Sequence, residues 1–266
     1  VVAESASGAS ALTAGHGALL GKQTAGSVQF SVLDRTAISQ SAWYFAWGAQ
    51  AQRYDFSSSG IPAGSTGLGL SRLQSIAADL RLEYFEHSSS ADAAEEAAAE
   101  LSLQPGWYFE HHFSMQAWDI PVEAGTGVPI PGLKSLTGAI GFENARFYHH
   151  AVPYFGVIWQ PSDRFRLEAL YPEPALVFEP RRGLNLRFGG ELVGAGFLTD
   201  ALPARTPVEY DAYRIGATVT YLDNNGLKIS AVIADETERE FDFFREHRRV
   251  HGSAAPCGEL SVGWQH

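Results

Sequence analysis

The chain has 266 residues, enough for one large β domain or two ordinary domains. Charged residues make up 18% and aromatics 12%, with 27 Gly and 13 Pro, a mix that favours many short strands and turns over helices. The net charge of −11 and the scattered Lys and Arg exclude a clustered phosphate-binding surface, so no nucleic-acid partner is expected. Cys257 is the single cysteine, which excludes an intrachain disulfide and any zinc site built from several thiolates. No apolar run reaches the ~18 residues of a transmembrane helix, and the mean hydropathy of −0.10 is what a barrel with alternating faces also gives.

Residues 1–26 are rich in Ala, Gly and Ser without clear periodicity and read as a flexible N-terminal arm. They lack a basic and then apolar leader, as expected of an exported chain without its signal peptide, and equally of a shortened chain. Residues 27–266 read as one domain. In SAWYFAWGAQAQRYDF, the residues Trp43, Phe45, Trp47, Ala49 and Ala51 share one face. AADLRLEYF sets Ala78, Leu80, Leu82 and Tyr84 against Asp79, Arg81 and Glu83, and ELSLQPGWYFE sets Leu101, Leu103, Trp107 and Phe109 against Glu100 and Glu110. The alternation continues through Trp118–Ala124, with Asp119 and Glu123 opposite, and through Leu136–Phe142, with Glu143 opposite. FRLEALYPEP places Arg166 and Glu168 between Phe165, Leu167, Ala169 and Tyr171. LNLRFGGEL, YRIGATVTYL, LKISAVIA and ELSVGW repeat the pattern, with Arg187, Glu191, Arg214 and Lys228 on the polar side.

Period-two alternation over segments of about 8–12 residues predicts about 12 antiparallel strands. Asp223-Asn224-Asn225-Gly226, Pro161-Ser162-Asp163 and Pro180-Arg181-Arg182-Gly183 are short hairpin turns. Three connections are longer: the Ala/Glu-rich segment 88–100, which suits a short helix, the segment 197–208 and the charged segment 234–256. The expected fold is all-β, a single antiparallel transmembrane barrel with short turns at one end and longer loops at the other.

The two faces decide the orientation. Trp43, Trp47, Trp107 and Trp118, with many Phe and Tyr, are a heavy load for the inside of a small closed sheet and suit an outer surface. The opposite face mixes charges with Gly, Ser and Thr, as suits an interior of paired charges. The candidate lumen-lining residues are Asp79, Arg81, Glu83, Glu110, Asp119, Glu123, Glu143, Arg166, Glu168, Arg187, Glu191 and Arg214. The alternative is a soluble ligand-binding barrel with an aromatic core.

The blocks WQPSDRFRLEALYPEPALVFEP (159–180), LNLRFGGELVGAGFLTD (184–200) and FDFFREHRRVHG (241–252) resemble a family of predicted bacterial outer-membrane β-barrel proteins of unknown function. The resemblance is strongest over residues 106–266. It implies a fold, a bacterial outer-membrane location and lipid as a partner, with no established activity. One departure is the end of the chain, where Gln265 and His266 follow Trp264 in place of a terminal aromatic.

Signals for chemistry are sparse. His111-His112 and His149-His150, placed on strands, point to opposite faces and do not chelate one metal. His247 and His251 have helical spacing, but Arg245, Arg248 and Arg249 around them repel a cation. No G-x-S-x-G elbow, HExxH or phosphate loop occurs. Glu83 with Glu110 or Glu123 offers paired carboxylates, although ion pairing to Arg81, Arg166, Arg187 and Arg214 is the commoner role of such residues. Neither metal nor cofactor is expected. Arg245, His247, Arg248 and Arg249 are candidate loop or lid residues, in a solvated loop with Phe241, Phe243 and Phe244 on the rim or in a lid meeting anionic groups. The functional expectation is a structural barrel or a narrow conduit for a small solute, with a lipid-modifying barrel enzyme as the alternative.

Overall fold

The computed structural model describes residues 2–7, 10–14, 19–38, 42–59, 70–85, 98–133, 135–200, 205–223 and 225–264. Among the described residues, eighteen strands form one sheet. The first nine are β1 (Val2–Ser7), β2 (Ser10–Ala14), β3 (Leu19–Ala37), β4 (Trp43–Ser59), β5 (Arg72–Tyr84), β6 (Ala99–Leu103), β7 (Gly106–Phe109), β8 (Trp118–Asp119) and β9 (Val122–Pro129). The rest are β10 (Leu136–Asn144), β11 (Val152–Ser162), β12 (Phe165–Tyr171), β13 (Ala175–Arg181), β14 (Leu184–Leu198), β15 (Pro207–Leu222), β16 (Leu227–Phe243), β17 (Arg248–Gly252) and β18 (Ala255–Trp264).

The sheet closes on itself. A mixed circuit of nine strands runs through β1, β3, β4, β5, β7, β14, β15, β16 and β18, and its single parallel step joins Phe109 to Leu198. A wider circuit leaves β5 through β6 and β9, follows β10 to β13 and rejoins at β14, with antiparallel neighbours at every step. The all-β class and the closed barrel agree with expectation. The expectation of about 12 purely antiparallel strands is corrected to a nine-stranded mixed barrel with further strands outside that circuit.

The fork has a local cause. Gln104 and Pro105 interrupt the strand after β6, and a proline offers no N–H to a ladder. Below the break β6 pairs with Leu80–Tyr84; above it β7 pairs with Gln74–Ala77. Gly106 lets the resumed strand approach closely, since a Cβ there would lie 2.5 Å from the Ala77 Cα. β12 and β13 turn back between Tyr171 and Ala175, level with Gly189 of β14, while β14 and β15 stay paired as far as Leu198 and Pro207. A low stretch of wall therefore sits beside a tall one. Short turns at 163–164 and 182–183 share one end with the close of β15 and the start of β16; connections 110–117 and 145–151 share the other with the close of β14 and the start of β15.

Along the lower part of the strands the apolar face is outside. Trp47, Ile140, Phe155, Phe188 and Ile233 are exposed, the last to 78%, whereas Asp79, Glu83 and Arg214 are buried. Higher up, the same strands invert. In β4 the inward positions pass from Gln50 and Gln52 to the buried Tyr54 and Phe56, and the outward positions pass from Trp43, Phe45 and Trp47 to Arg53 and Asp55. β5 passes from Asp79 inside to Leu73 inside, and β16 from Glu236 to Phe241 and Phe243.

The inverted part closes over an aromatic core. Tyr210 lies 5.2 Å from Tyr54, 5.5 Å from Phe56 and 5.0 Å from Phe241 between ring centroids, and Phe197 sits 6.0 Å from Tyr54. Leu73, Tyr108, Phe109, Phe147, Val208, Phe243 and Val250 complete it.

Three expectations change here. Residues 1–26, read as an arm, supply β1, β2 and the start of β3, hydrogen-bonded to β17 and β18. Segment 234–256 is the hairpin of β16 with β17 and β18 rather than a loop, and Phe241 and Phe243 fill the interior rather than the rim. Residues 197–198 end β14 and 207–208 begin β15, so the connection is shorter than expected, with 201–204 outside the described residues. Of the helix expected over 88–100, residues 88–97 also lie outside them, and β6 begins at Ala99.

Replacing Phe241, which is fully buried, by alanine is expected to cost ~3–5 kcal/mol. The check is a lower denaturant midpoint with unchanged slope.

Candidate functional site

Two polar sites stand apart from the aromatic core. The first is the interior below it. The Arg81 guanidinium lies 2.8 Å from Asp79 and 3.6 Å from Glu100, and Arg166 lies 2.7 Å from Glu168, with Arg187 at 3.9 Å from the same carboxylate. Arg214 reaches Glu236 at 3.2 Å and Glu259 at 3.3 Å, and the fully buried Arg239 lies 3.4 Å from Glu236. Tyr148 and Tyr154 donate hydroxyl hydrogen bonds to Glu143. Glu123 pairs across to Ser102 and Glu143 on the inward face yet is exposed, so this part of the interior holds water. It is a water-accessible chamber rich in carboxylates.

Of the twelve-strand reading's lumen residues, Asp79, Arg81, Glu83, Glu123, Glu143, Arg166, Glu168, Arg187, Glu191 and Arg214 occupy inward positions. Asp119 also turns inward, but its carboxylate is taken up by the N–H groups of Ile120, Arg146 and Phe147, fixing the 145–151 connection. Glu110 does not line the chamber. It follows β7 at the top of the barrel, whereas Glu83 pairs with Glu100 near the opposite end, so Glu83 and Glu110 form no carboxylate pair.

The second site lies where β7 meets β14. The Glu110 N–H donates to Leu198 O, and the Asp200 N–H donates to Glu110 Oε2 at 2.8 Å. Asp200 Oδ2 accepts from the His111 N–H, the His112 N–H and the His112 ring at 2.7 Å. These bonds clasp the nine-stranded circuit shut beside its single parallel bridge. Ser71, just before β5, lies 2.9 Å from His111 Nε2. Ligand atoms of Glu110, His111 and Asp200 lie within 4.8 Å of one another. Burial pushes the Glu110 carboxyl above its ordinary range. Burial also pushes Asp200 up, but the hydrogen bonds from His112 and His111 outweigh it and leave Asp200 below its ordinary value.

The His pairs depart from expectation because neither lies in a strand; both sit in bends, so neighbouring rings are not forced to opposite faces. His149 and His150 rings are 3.9 Å apart, and His149 Nδ1 lies 3.1 Å from Asp242. His247 and His251 are not on a helix, since β17 spans most of the interval. The lid residues are also accounted for. Arg248 lies over the Phe243 ring at 4.0 Å and Arg249 lies 2.8 Å from Asp242. Arg245 and His247 are exposed in the tight turn, where His247 has φ 52°.

Compared with known proteins, the chain matches no family model and no curated sequence.

Asp200→Ala is expected to lower stability at pH 7 by about 2 kcal/mol, because three N–H donors lose a charged acceptor. Asp200 has a folded pKa below its unfolded value near 3.8, so its contribution is full above that value and is lost as pH falls through the folded one. The deficit of the variant therefore shrinks in acid. Denaturant titrations of both proteins at pH 7 and pH 3 check this.

Proposed function

We propose that the chain is an integral β-barrel of a bacterial outer membrane, with lipid around its lower wall and a polar, water-accessible chamber inside. The observation that carries this reading is the exposed apolar belt around the closed sheet. Leu101, Ile140, Phe155, Leu167, Leu176, Phe188, Val219, Ile229 and Leu260 are exposed on successive strands, and monomers in water rarely carry a continuous apolar band of this kind. The outward apolar run of β15, Tyr213 to Tyr221, matches the ~9–11 residues that a tilted strand needs to cross hydrocarbon.

Aromatic side chains collect at both edges of the belt. Trp43, Tyr84, Trp159 and Tyr221 lie towards the short turns, and Phe155, Tyr171, Tyr213 and Trp118 towards the tall end. Such bands suit the two lipid–water boundaries. Backbone closure suits hydrocarbon as well, because a closed sheet leaves no edge of unpaired N–H and C=O groups there. The resemblance to outer-membrane barrel proteins points the same way.

Within this reading the chamber holds or passes a small solute, and the carboxylate excess at Glu100, Glu123 and Glu143 favours a cationic one. The aromatic core stands across the tall end, so the resting state conducts poorly.

The purified chain is expected to need detergent and to migrate faster on a gel when unboiled. Solubility as a monomer without detergent would overturn the reading. In planar bilayers the protein should show little conductance, and Phe241→Ala with Tyr210→Ala should raise it and favour cations.

A further inference from the structure

The membrane reading leaves one constellation unused. Ser71 Oγ lies 2.9 Å from His111 Nε2, and His111 Nδ1 lies 3.5 Å from Glu110 Oε1. Glu110 Oε2 is held by the Asp200 N–H at 2.8 Å. A hydroxyl, an imidazole and a buried carboxylate thus stand in order, with the carboxylate itself oriented by a fixed donor. This is the arrangement that activates a serine for attack on an acyl group, and such contacts are often loose before substrate binds. Antiparallel pairing of β5 with β7, Gln74 opposite Phe109, brings the start of one strand to the end of the other and so sets Ser71 against His111. Both residues are open to solvent.

The surroundings indicate a substrate class. Ile76 and Trp107 pair on the outward face at the upper edge of the apolar belt. Phe113 packs on Trp107 at 4.7 Å between ring centroids and is itself exposed, and Met115 beyond it is 73% exposed. An acyl chain can lie along this apolar strip with its ester group at the boundary with water, level with Ser71.

We propose that Ser71, His111 and Glu110 form an ester-hydrolysing site at the barrel rim that acts on acyl esters of membrane lipid. The substrate class rests on the membrane reading; the hydrolytic site does not. His111 Nε2 takes the Ser71 proton as Oγ bonds to the ester carbonyl carbon. Cleavage of the ester C–O bond releases the alcohol, which takes that proton from His111 and leaves an acyl-Ser71 ester. Water then gives a proton to His111 and attacks the acyl carbon; the fatty acid leaves and Ser71 recovers its proton. Glu110 is a positioning residue, keeping the Nδ1–H of His111 directed towards itself. A metal ion on Glu110, His111 and Asp200 is disfavoured because Asp200 Oδ2 already accepts three N–H groups.

The test uses the full chain in detergent, with a fluorophosphonate probe, p-nitrophenyl butyrate and phospholipid vesicles. The expected result is one covalent adduct, on Ser71, and hydrolysis of both esters. Ser71→Ala should abolish labelling and lower the rate at least ~100-fold. Glu110→Gln should lower kcat with KM unchanged, and Glu110→Asp should recover part of it. Heat-modifiable migration identifies folded variants. An unlabelled Ser71 in folded protein, a Ser71→Ala rate equal to wild type, or activity that follows added zinc or calcium and not Ser71 overturns the proposal. Butyrate hydrolysis without lipid hydrolysis overturns the substrate class. Ser71-dependent butyrate hydrolysis by a chain that needs no detergent overturns the membrane reading while the hydrolytic site stands.

Discussion

The structure depends on one constraint: in a strand, alternate side chains must leave by opposite faces. Once the sheet is closed, each face has a single environment at a given height, and a residue chooses only by its parity. Trp43, Phe45 and Trp47 leave outward because Tyr44, Ala46 and Gly48 face in. A shift of one residue in register would exchange the faces along the whole strand. The lower barrel therefore carries charge inside at a cost in desolvation, which is tolerable because Arg81, Arg166 and Arg214 each lie close to carboxylates.

The same constraint explains why the upper barrel is built differently without any break in the chain. Parity does not change along β4, β5 or β14, yet the chemistry assigned to each parity does. Arg53, Asp55 and Arg72 face out as an ion-paired group at 2.6 and 3.1 Å, while Tyr54, Phe56 and Leu73 pack inside. That upper cylinder is an ordinary protein core, stabilised by removing large aromatic surfaces from water. It needs closure at a smaller circumference, and the β7–β14 contact supplies it. Glu110 and Asp200 clasp the junction because the parallel bridge alone is a single residue pair.

Much of the lower barrel was legible in the sequence because its two faces differ so sharply in polarity; β12, β14 and β15 lie where alternation places them. The rest was hidden for identifiable reasons. Ala, Gly and Ser in residues 1–26 give no contrast between faces, so strands β1 and β2 leave no alternating signal. Segment 234–256 has inverted polarity, with Glu240 and Arg249 on the outward face beside the buried Asp242 and with Phe241 and Phe243 inside, so its density of charge reads as a loop. Pro105 splits one strand into two with different partners, which strand counting does not anticipate. The rim constellation draws Ser71, His111 and Asp200 from distant parts of the chain. Of its members only the His pair and Glu110 carry a sequence signal, and alternation assigns the first to a strand and the second to the lumen.

The junction between the two halves bears on how a barrel of this kind works. Beneath Tyr210, Arg214 lies beside Glu236, which in turn lies beside Arg239, so the aromatic core rests on an ionic layer. Apolar packing above and paired charge below resist displacement by different means: moving the rings exposes apolar surface, and separating the ions strands a buried charge. Both costs fall on any motion that would open the full length of the cylinder. The apolar and ionic layers together stand across the interior at this height. Ser71, His111 and Phe113 are exposed at the rim, and Trp107, against which Phe113 packs at 4.7 Å, itself packs on the aromatic core.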